Sequence, residues 1–154
     1  MKKVFICVFS AAILLSSTVI LAGEKQSVEF LNSGAVLPAD GKFPFSEAVR
    51  VGNTIYLSGQ LGIVPETLKL IEGGIEAETR QTMTNIKSSL EAHGLSMNNV
   101  IKCTVMLADI SEWPAFNAVY TTFFNAPFPA RSAFATNGLA LGARTEVECI
   151  AVDF

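Results

Sequence analysis

The chemistry that stands out in this chain lies between residues 128 and 150. Arg131 sits in Phe-Pro-Ala-Arg-Ser-Ala-Phe, just after a proline that fixes the entry of an extended segment. Further on, residues 145–152 alternate, with Glu146 and Glu148 on one face and Val147, Cys149 and Ala151 on the other. A guanidinium is planar, permanently charged and shaped to grip a carboxylate through two parallel hydrogen bonds. A carboxylate on a neighbouring strand can hold or activate a water beside that grip. The competing reading is a plain Arg–Glu cross-strand pair on a solvated sheet face.

Several separated motifs, in order, extend the pattern. Tyr56-Leu57-Ser58-Gly59-Gln60 comes first, then Asn117-Ala118-Val119-Tyr120 leading into Phe123-Phe124, then Pro129-Ala130-Arg131-Ser132 and Glu146-Val147-Glu148. From about Pro44 to Val152 the chain resembles the RidA (YjgF) family. That resemblance implies a small trimeric protein of chorismate-mutase-like fold, its sheets forming a central barrel. It implies hydrolysis of reactive 2-imino and enamino acids to 2-keto acids and ammonia, with no metal or organic cofactor. Residue by residue, Arg131 matches the arginine that clamps the substrate carboxylate and Glu146 the glutamate that positions or activates the attacking water. Ser58 matches a pocket serine and Asn117 a polar residue at the subunit boundary, although a helix-surface amide would read the same way. Two positions depart from the family pattern. Phe45 stands where a tyrosine is usual, and Ala133 where a cysteine is usual, so the expected substrate pocket is more apolar. A second function remains open: a non-catalytic trimeric module in which Arg131 holds a small carboxylate. Nuclease activity, attributed to some relatives, is disfavoured by the acidic balance and the lack of a catalytic histidine.

The elements that must position these residues are legible from patterning. Residues 48–51 and 54–61 read as a hairpin around Gly52-Asn53, with Ile55 and Leu57 inward and Thr54, Tyr56 and Ser58 outward. A short strand is expected near Val28-Glu29-Phe30, and a loop or irregular hairpin over 65–74. Helical spacing of Thr79, Met83, Ile86 and Leu90 predicts a helix over 75–93, stopped by Gly94, with Glu78, Arg80, Lys87 and Glu91 on its outer face. His93 falls in the last turn, where a cation suits the helix dipole. Residues 100–108 alternate as a strand with Ile101, Cys103, Val105 and Leu107 inward. Ser111 can cap a second, aromatic-rich helix running to Phe124, whose rings read mainly as core. Strands, helices and order predict a two-layer α/β (α+β) domain, a mixed sheet with two helices on one face. Its other face keeps Tyr56, Met106, Phe134 and Ile150, and an apolar face of that kind calls for self-association.

Composition bounds the rest. The 154 residues carry a net charge of −3 that includes Lys2 and Lys3, and no basic cluster. That is a poor match for nucleic acid, which is bound largely by neutralising phosphates. Met1-Lys2-Lys3, the apolar run 4–21 and the small pair Ala22-Gly23 read as a signal peptide over 1–22, leaving 23–154 as one domain. A membrane anchor is the alternative, and the small-residue exit into polar residues argues against it. With no cysteine directly following Ala22-Gly23 to carry a lipid, the expected location is periplasmic or secreted, without stable membrane association. Cys103 and Cys149 occupy inward apolar positions and read as free buried thiols. In an oxidising compartment they could pair if their strands are neighbours. With Cys7 inside the expected signal segment, the two remaining cysteines and one histidine offer no zinc-ligand spacing.

Overall fold

The computed structural model describes residues 27–40 and 42–154; the expected signal segment lies outside the described residues. Among the described residues, nine strands and two α-helices follow in the order β1 (Val28–Leu31), β2 (Ala48–Val51), β3 (Thr54–Leu57), β4 (Gln60–Leu61), β5 (Ile63–Val64), β6 (Lys69–Leu70), α1 (Gly74–Ala92), β7 (Val100–Leu107), α2 (Trp113–Tyr120), β8 (Ala130–Ala135) and β9 (Thr145–Val152). The main sheet runs β1-β2-β3-β9-β7-β8, and β4 adds to β9 beyond the end of β3. Only β7 and β8 are parallel, joined by the α2 crossover, so the sheet is mixed as expected. Both helices cover one face. Met83, Ile86 and Leu90 of α1 and Phe116 and Tyr120 of α2 share a single core with Ile55, Leu57, Val105, Leu107, Val147 and Ala151.

Local signals account for most boundaries. Gly52, at φ 58°, makes the β2–β3 turn. Helix α1 ends in a Schellman arrangement: Leu95 N donates to Leu90 O, Gly94 N to Glu91 O, and Gly94 takes φ 79°. Residues 63–70 form the small β5–β6 hairpin, which begins two residues before the loop or irregular hairpin expected over 65–74 and ends four residues earlier.

Tertiary packing changed five local expectations. The strand anticipated over 54–61 breaks at Ser58-Gly59, where Ser58 N turns to donate to Glu47 O, and resumes as β4 on a different part of β9. A register irregularity between Val100 and Lys102 puts Val100 in the core and leaves Ile101 exposed. Glu78 is buried instead of solvated, because its carboxylate caps the backbone N–H of Arg144 at 2.8 Å. Helix α2 stops at Tyr120 and continues only as a 3-10 turn, while Asp109, not Ser111, caps its approach by accepting from Ser111 N. His93 stands at the C-cap of α1, and its Nε2 turns to the buried Glu47 carboxylate at 3.7 Å.

Cys103 and Cys149 sit directly opposite one another on β7 and β9, with Cα atoms 4.1 Å apart, and form a disulfide. The free-thiol reading is therefore corrected: adjacent strands bring the two inward positions into register, which neither strand reveals alone. The bridge closes a loop across 46 residues. A Cys103→Ala/Cys149→Ala double variant is expected to lose roughly 2–4 kcal/mol, read as a lower urea midpoint without reductant. Wild-type protein in reductant should shift the same way.

Candidate functional site

Arg131 lies on β8, an edge strand, in register with Cys103 of β7 and through it with Cys149 of β9. It therefore faces the helix layer. Its guanidinium carbon stands 4.5 Å from the centroid of Trp113 and 4.6 Å from that of Tyr120. These rings are seven residues apart, so they share a face of α2 and clamp the cation by its π-faces. Among the described residues no carboxylate lies within ion-pairing distance of Arg131. Asn117 falls on the same helical stripe, between the two rings, and its Oδ1 is buried with no hydrogen-bond partner. Ala133, two residues along β8, joins Ile110, Ser111, Trp113 and Pro114 around a shallow cavity of ≈ 430 Å³. Burial pushes the Tyr120 hydroxyl pKa up, with the Arg131 charge opposing.

Glu146 belongs to a different neighbourhood. It is in register with Met106 of β7 and Leu61 of β4, on the face away from the helices. Strand β7 separates β9 from β8, so Arg131 and Glu146 lie on opposite faces and two strands apart. The plain cross-strand pair is thereby excluded, and so is a direct clamp-and-water arrangement within one chain. The Glu146 carboxylate presses on Gly59: a Cβ there would stand 2.0 Å from Oε1. A side chain at this position would displace the Glu146 carboxylate from where it sits. Burial raises the Glu146 carboxyl above the usual carboxylate range, and the neighbouring Glu148 charge adds to the shift.

Beside Gly59, Ser58 donates its hydroxyl to Ser46 O at 2.7 Å, so what it can offer a ligand is acceptor capacity. Phe45 is half-exposed, stands 5.5 Å from Phe43, and divides two cavities. One, of ≈ 550 Å³, is mixed in character and reaches Ser58 and Glu47. The other, of ≈ 250 Å³, is almost wholly apolar and reaches Gly59 and Leu61. The segment carrying Phe45 is tied down through Glu47, whose buried carboxylate accepts from Ser33 N, Ser33 Oγ and Ser89 Oγ. Among the described residues no group of three or more His, Cys, Asp and Glu is placed to hold a metal, and no helix is long and apolar enough to cross a membrane.

The expected residues thus form two half-sites: Arg131, Asn117 and Ala133 at the β8 edge, and Phe45, Ser58 and Glu146 at the β3–β4 break. Trp113, Tyr120, Gly59 and Glu47 were not singled out as site residues from the sequence. The seven-residue spacing of Trp113 and Tyr120 was a usable signal; the contact of Gly59 with Glu146 had none, being 87 residues away along the chain.

Fold and half-sites define a small α+β protein with an aromatic-clamped arginine on an open sheet edge and a perturbed carboxylate on the opposite face. Residues 38–153 match the family model described as endoribonuclease L-PSP. A goat (Capra hircus) protein named 2-iminobutanoate/2-iminopropanoate deaminase is 48% identical over 109 residues, 71% of this chain and 80% of the relative. The human protein of the same name is 41% identical over 109 residues, again 71% and 80%. Among solved structures, RidA from the Antarctic bacterium Psychrobacter sp. PAMC 21119 aligns with TM-score 0.74 and 39% identity, covering 81% of this chain and 98% of that one. E. coli TdcF, solved with bound serine, aligns with TM-score 0.70 and 30% identity, covering 74% and 91%. The chain belongs to the RidA/YjgF family.

Proposed function

We propose that this protein hydrolyses reactive 2-imino and enamino acids to 2-keto acids and ammonia, at a site assembled between subunits. The observation that carries the reading is Arg131: a guanidinium held by two rings on an open strand edge, with no carboxylate partner among the described residues, has its planar fork free for a carboxylate. Names of relatives at 41–48% identity support the same chemistry. Water adds to the C=N carbon, and the carbinolamine collapses to the keto acid and ammonia. Glu146 takes a proton from the water and returns one to the departing nitrogen. A carboxyl raised by burial suits that double duty better than an ordinary surface glutamate. Positioning and charge complementarity supply the acceleration, and no covalent nucleophile is required.

Because Arg131 and Glu146 of one chain lie on opposite faces, the half-sites must meet through a neighbour. The free sheet face supports association. Phe30, Val49, Tyr56 and Ile150 form one register row across four strands, and Phe30 is 72% exposed. We assign a homotrimer, with one cleft per boundary. Light scattering at micromolar concentration is expected to report three chains; a stable monomer would make a shared site untenable. The activity is tested with purified protein and 2-imino acids generated by an amino-acid oxidase, with semicarbazide competing for the imine. Faster keto-acid formation supports hydrolysis, whereas saturable binding without turnover supports the carboxylate-binding module. Residues 1–22 as an export signal remain part of this reading: N-terminal sequencing of the secreted form is expected to begin at Gly23 or Glu24.

A further inference from the structure

Arg131 is oriented by different means from Arg50 and Arg144. Those two are steered by carboxylates, Asp153 and Glu112 respectively. Among the described residues the arginine side-chain hydrogen bonds all belong to that pair, and no ion pair reaches Arg131. What holds Arg131 is ring faces, those of Trp113 and Tyr120. The difference matters for binding. An anionic anchor takes up N–H donors of the fork and offsets its charge, so it competes with the carboxylate of a ligand. A π-face attracts the cation from above its plane, leaving the in-plane donors and the charge available. It also removes rotamer freedom that a loose side chain would lose on binding.

The rings are themselves fixed. Phe116, wholly buried, stacks on both, its centroid 5.9 Å from that of Trp113 and 5.5 Å from that of Tyr120. Residues 113, 116 and 120 fall on one stripe of α2, so Phe116 sets the spacing of the two outer rings from behind. Phe124 backs Tyr120 in turn, at 4.9 Å. Tyr120 is 2% exposed and its hydroxyl has no hydrogen-bond partner, so what it offers Arg131 is the ring. We infer that Trp113 and Tyr120 are positioning residues: they fix the plane and direction of the Arg131 fork and thereby set its affinity for a ligand carboxylate. This rests on Arg131 as the carboxylate clamp of the reading above and deepens it by naming what aims the clamp.

The chain carries one tryptophan, so growth on fluorinated tryptophan alters Trp113 alone. Fluorine weakens the negative face of the indole and nearly preserves its shape, which separates attraction for the cation from packing. Calorimetry with 2-oxobutanoate on the assembled protein is expected to show Kd rising stepwise with fluorine content. In Trp113→Leu the rise should be roughly five- to thirtyfold. Trp113→Phe, which keeps a smaller π-face, should fall between wild type and Trp113→Leu. Tyr120→Leu should weaken binding more than Tyr120→Phe, which keeps the ring. In imine hydrolysis the losses should fall on KM more than on kcat, because the rings touch the clamp and not the reacting carbon. A Kd that stays flat across the fluorine series, or a loss confined to kcat, overturns the assignment. If Trp113→Leu fails to fold, the fluorine series decides. Absence of imine hydrolysis in wild type defeats the deaminase reading, and calorimetry still judges the clamp. Wild-type protein that shows no saturable 2-oxobutanoate binding overturns it.

Discussion

Arg131→Ala is expected to lower kcat/KM for imine hydrolysis by roughly 10²–10⁴-fold, taking about 1.5–3 kcal/mol for each of two charge-assisted hydrogen bonds. The fold should survive, because among the described residues the guanidinium makes no ion pair and its removal leaves Trp113 and Tyr120 with solvent or a neighbour. Lys at this position should rescue poorly: an ammonium keeps the charge, loses the fork and stacks less well. Equal rates for Arg131→Ala and wild type, both well folded and trimeric, would reduce the arginine to a packing residue. The shared site gives a sharper test. Mixed trimers of Arg131→Ala and Glu146→Gln subunits, each inactive alone, should regain up to about a quarter of wild-type activity, because one boundary in four then joins an intact Arg131 to an intact Glu146. No recovery on mixing would mean that both residues act within one chain or that one of them does not act.

Glu146→Gln is expected to lower kcat by about 10²–10⁴-fold, the usual cost of removing a general base, with a smaller effect on binding of a product carboxylate. The pH dependence follows from the raised carboxyl. Glu146 takes a proton only when ionised, so the rate should fall as pH drops through its raised value, an acid limb lying above the ordinary glutamate range. In Glu146→Gln the residual rate should lose that limb. Stability runs the other way. A carboxyl that holds its proton more tightly in the folded chain than in the unfolded one weakens the fold at neutral pH, and that penalty is relieved as pH falls through the raised value. Glu146→Gln should thus be at least as stable as wild type at pH 7 by urea denaturation. A variant that loses turnover because it unfolds would refute this account.

Periodicity alone determined the layers. Met83, Ile86 and Leu90, with Thr79, at helical spacing made α1, and Gly94 ended it, because a single residue free to adopt positive φ closes the Schellman bonds. Strict alternation over 145–152 placed Glu146 outward and Cys149 inward, since a strand has no other way to direct successive side chains. Those are local constraints, and a sequence states them directly. Several separated motifs in order pointed to the family, and with it to Arg131 and Glu146.

What the tertiary structure decided is everything that depends on which strands are neighbours. Strand β9 inserts between β3 and β7, and this one fact sets Cys103 opposite Cys149, drives the Glu146 carboxylate against Gly59, and parts Glu146 from Arg131. Residues 131 and 146 look like partners when counted along the chain. Yet the parallel crossover through α2 carries β8 to the far edge and turns Arg131 toward Trp113 and Tyr120. The break at Ser58-Gly59 and the irregularity beside Ile101 are likewise responses to a partner strand, where an extra residue or a close carboxylate outweighs local preference. Side-chain identity fixes what each strand must bury. Pairing order, set by the closure of the whole core, fixes which chemistry meets.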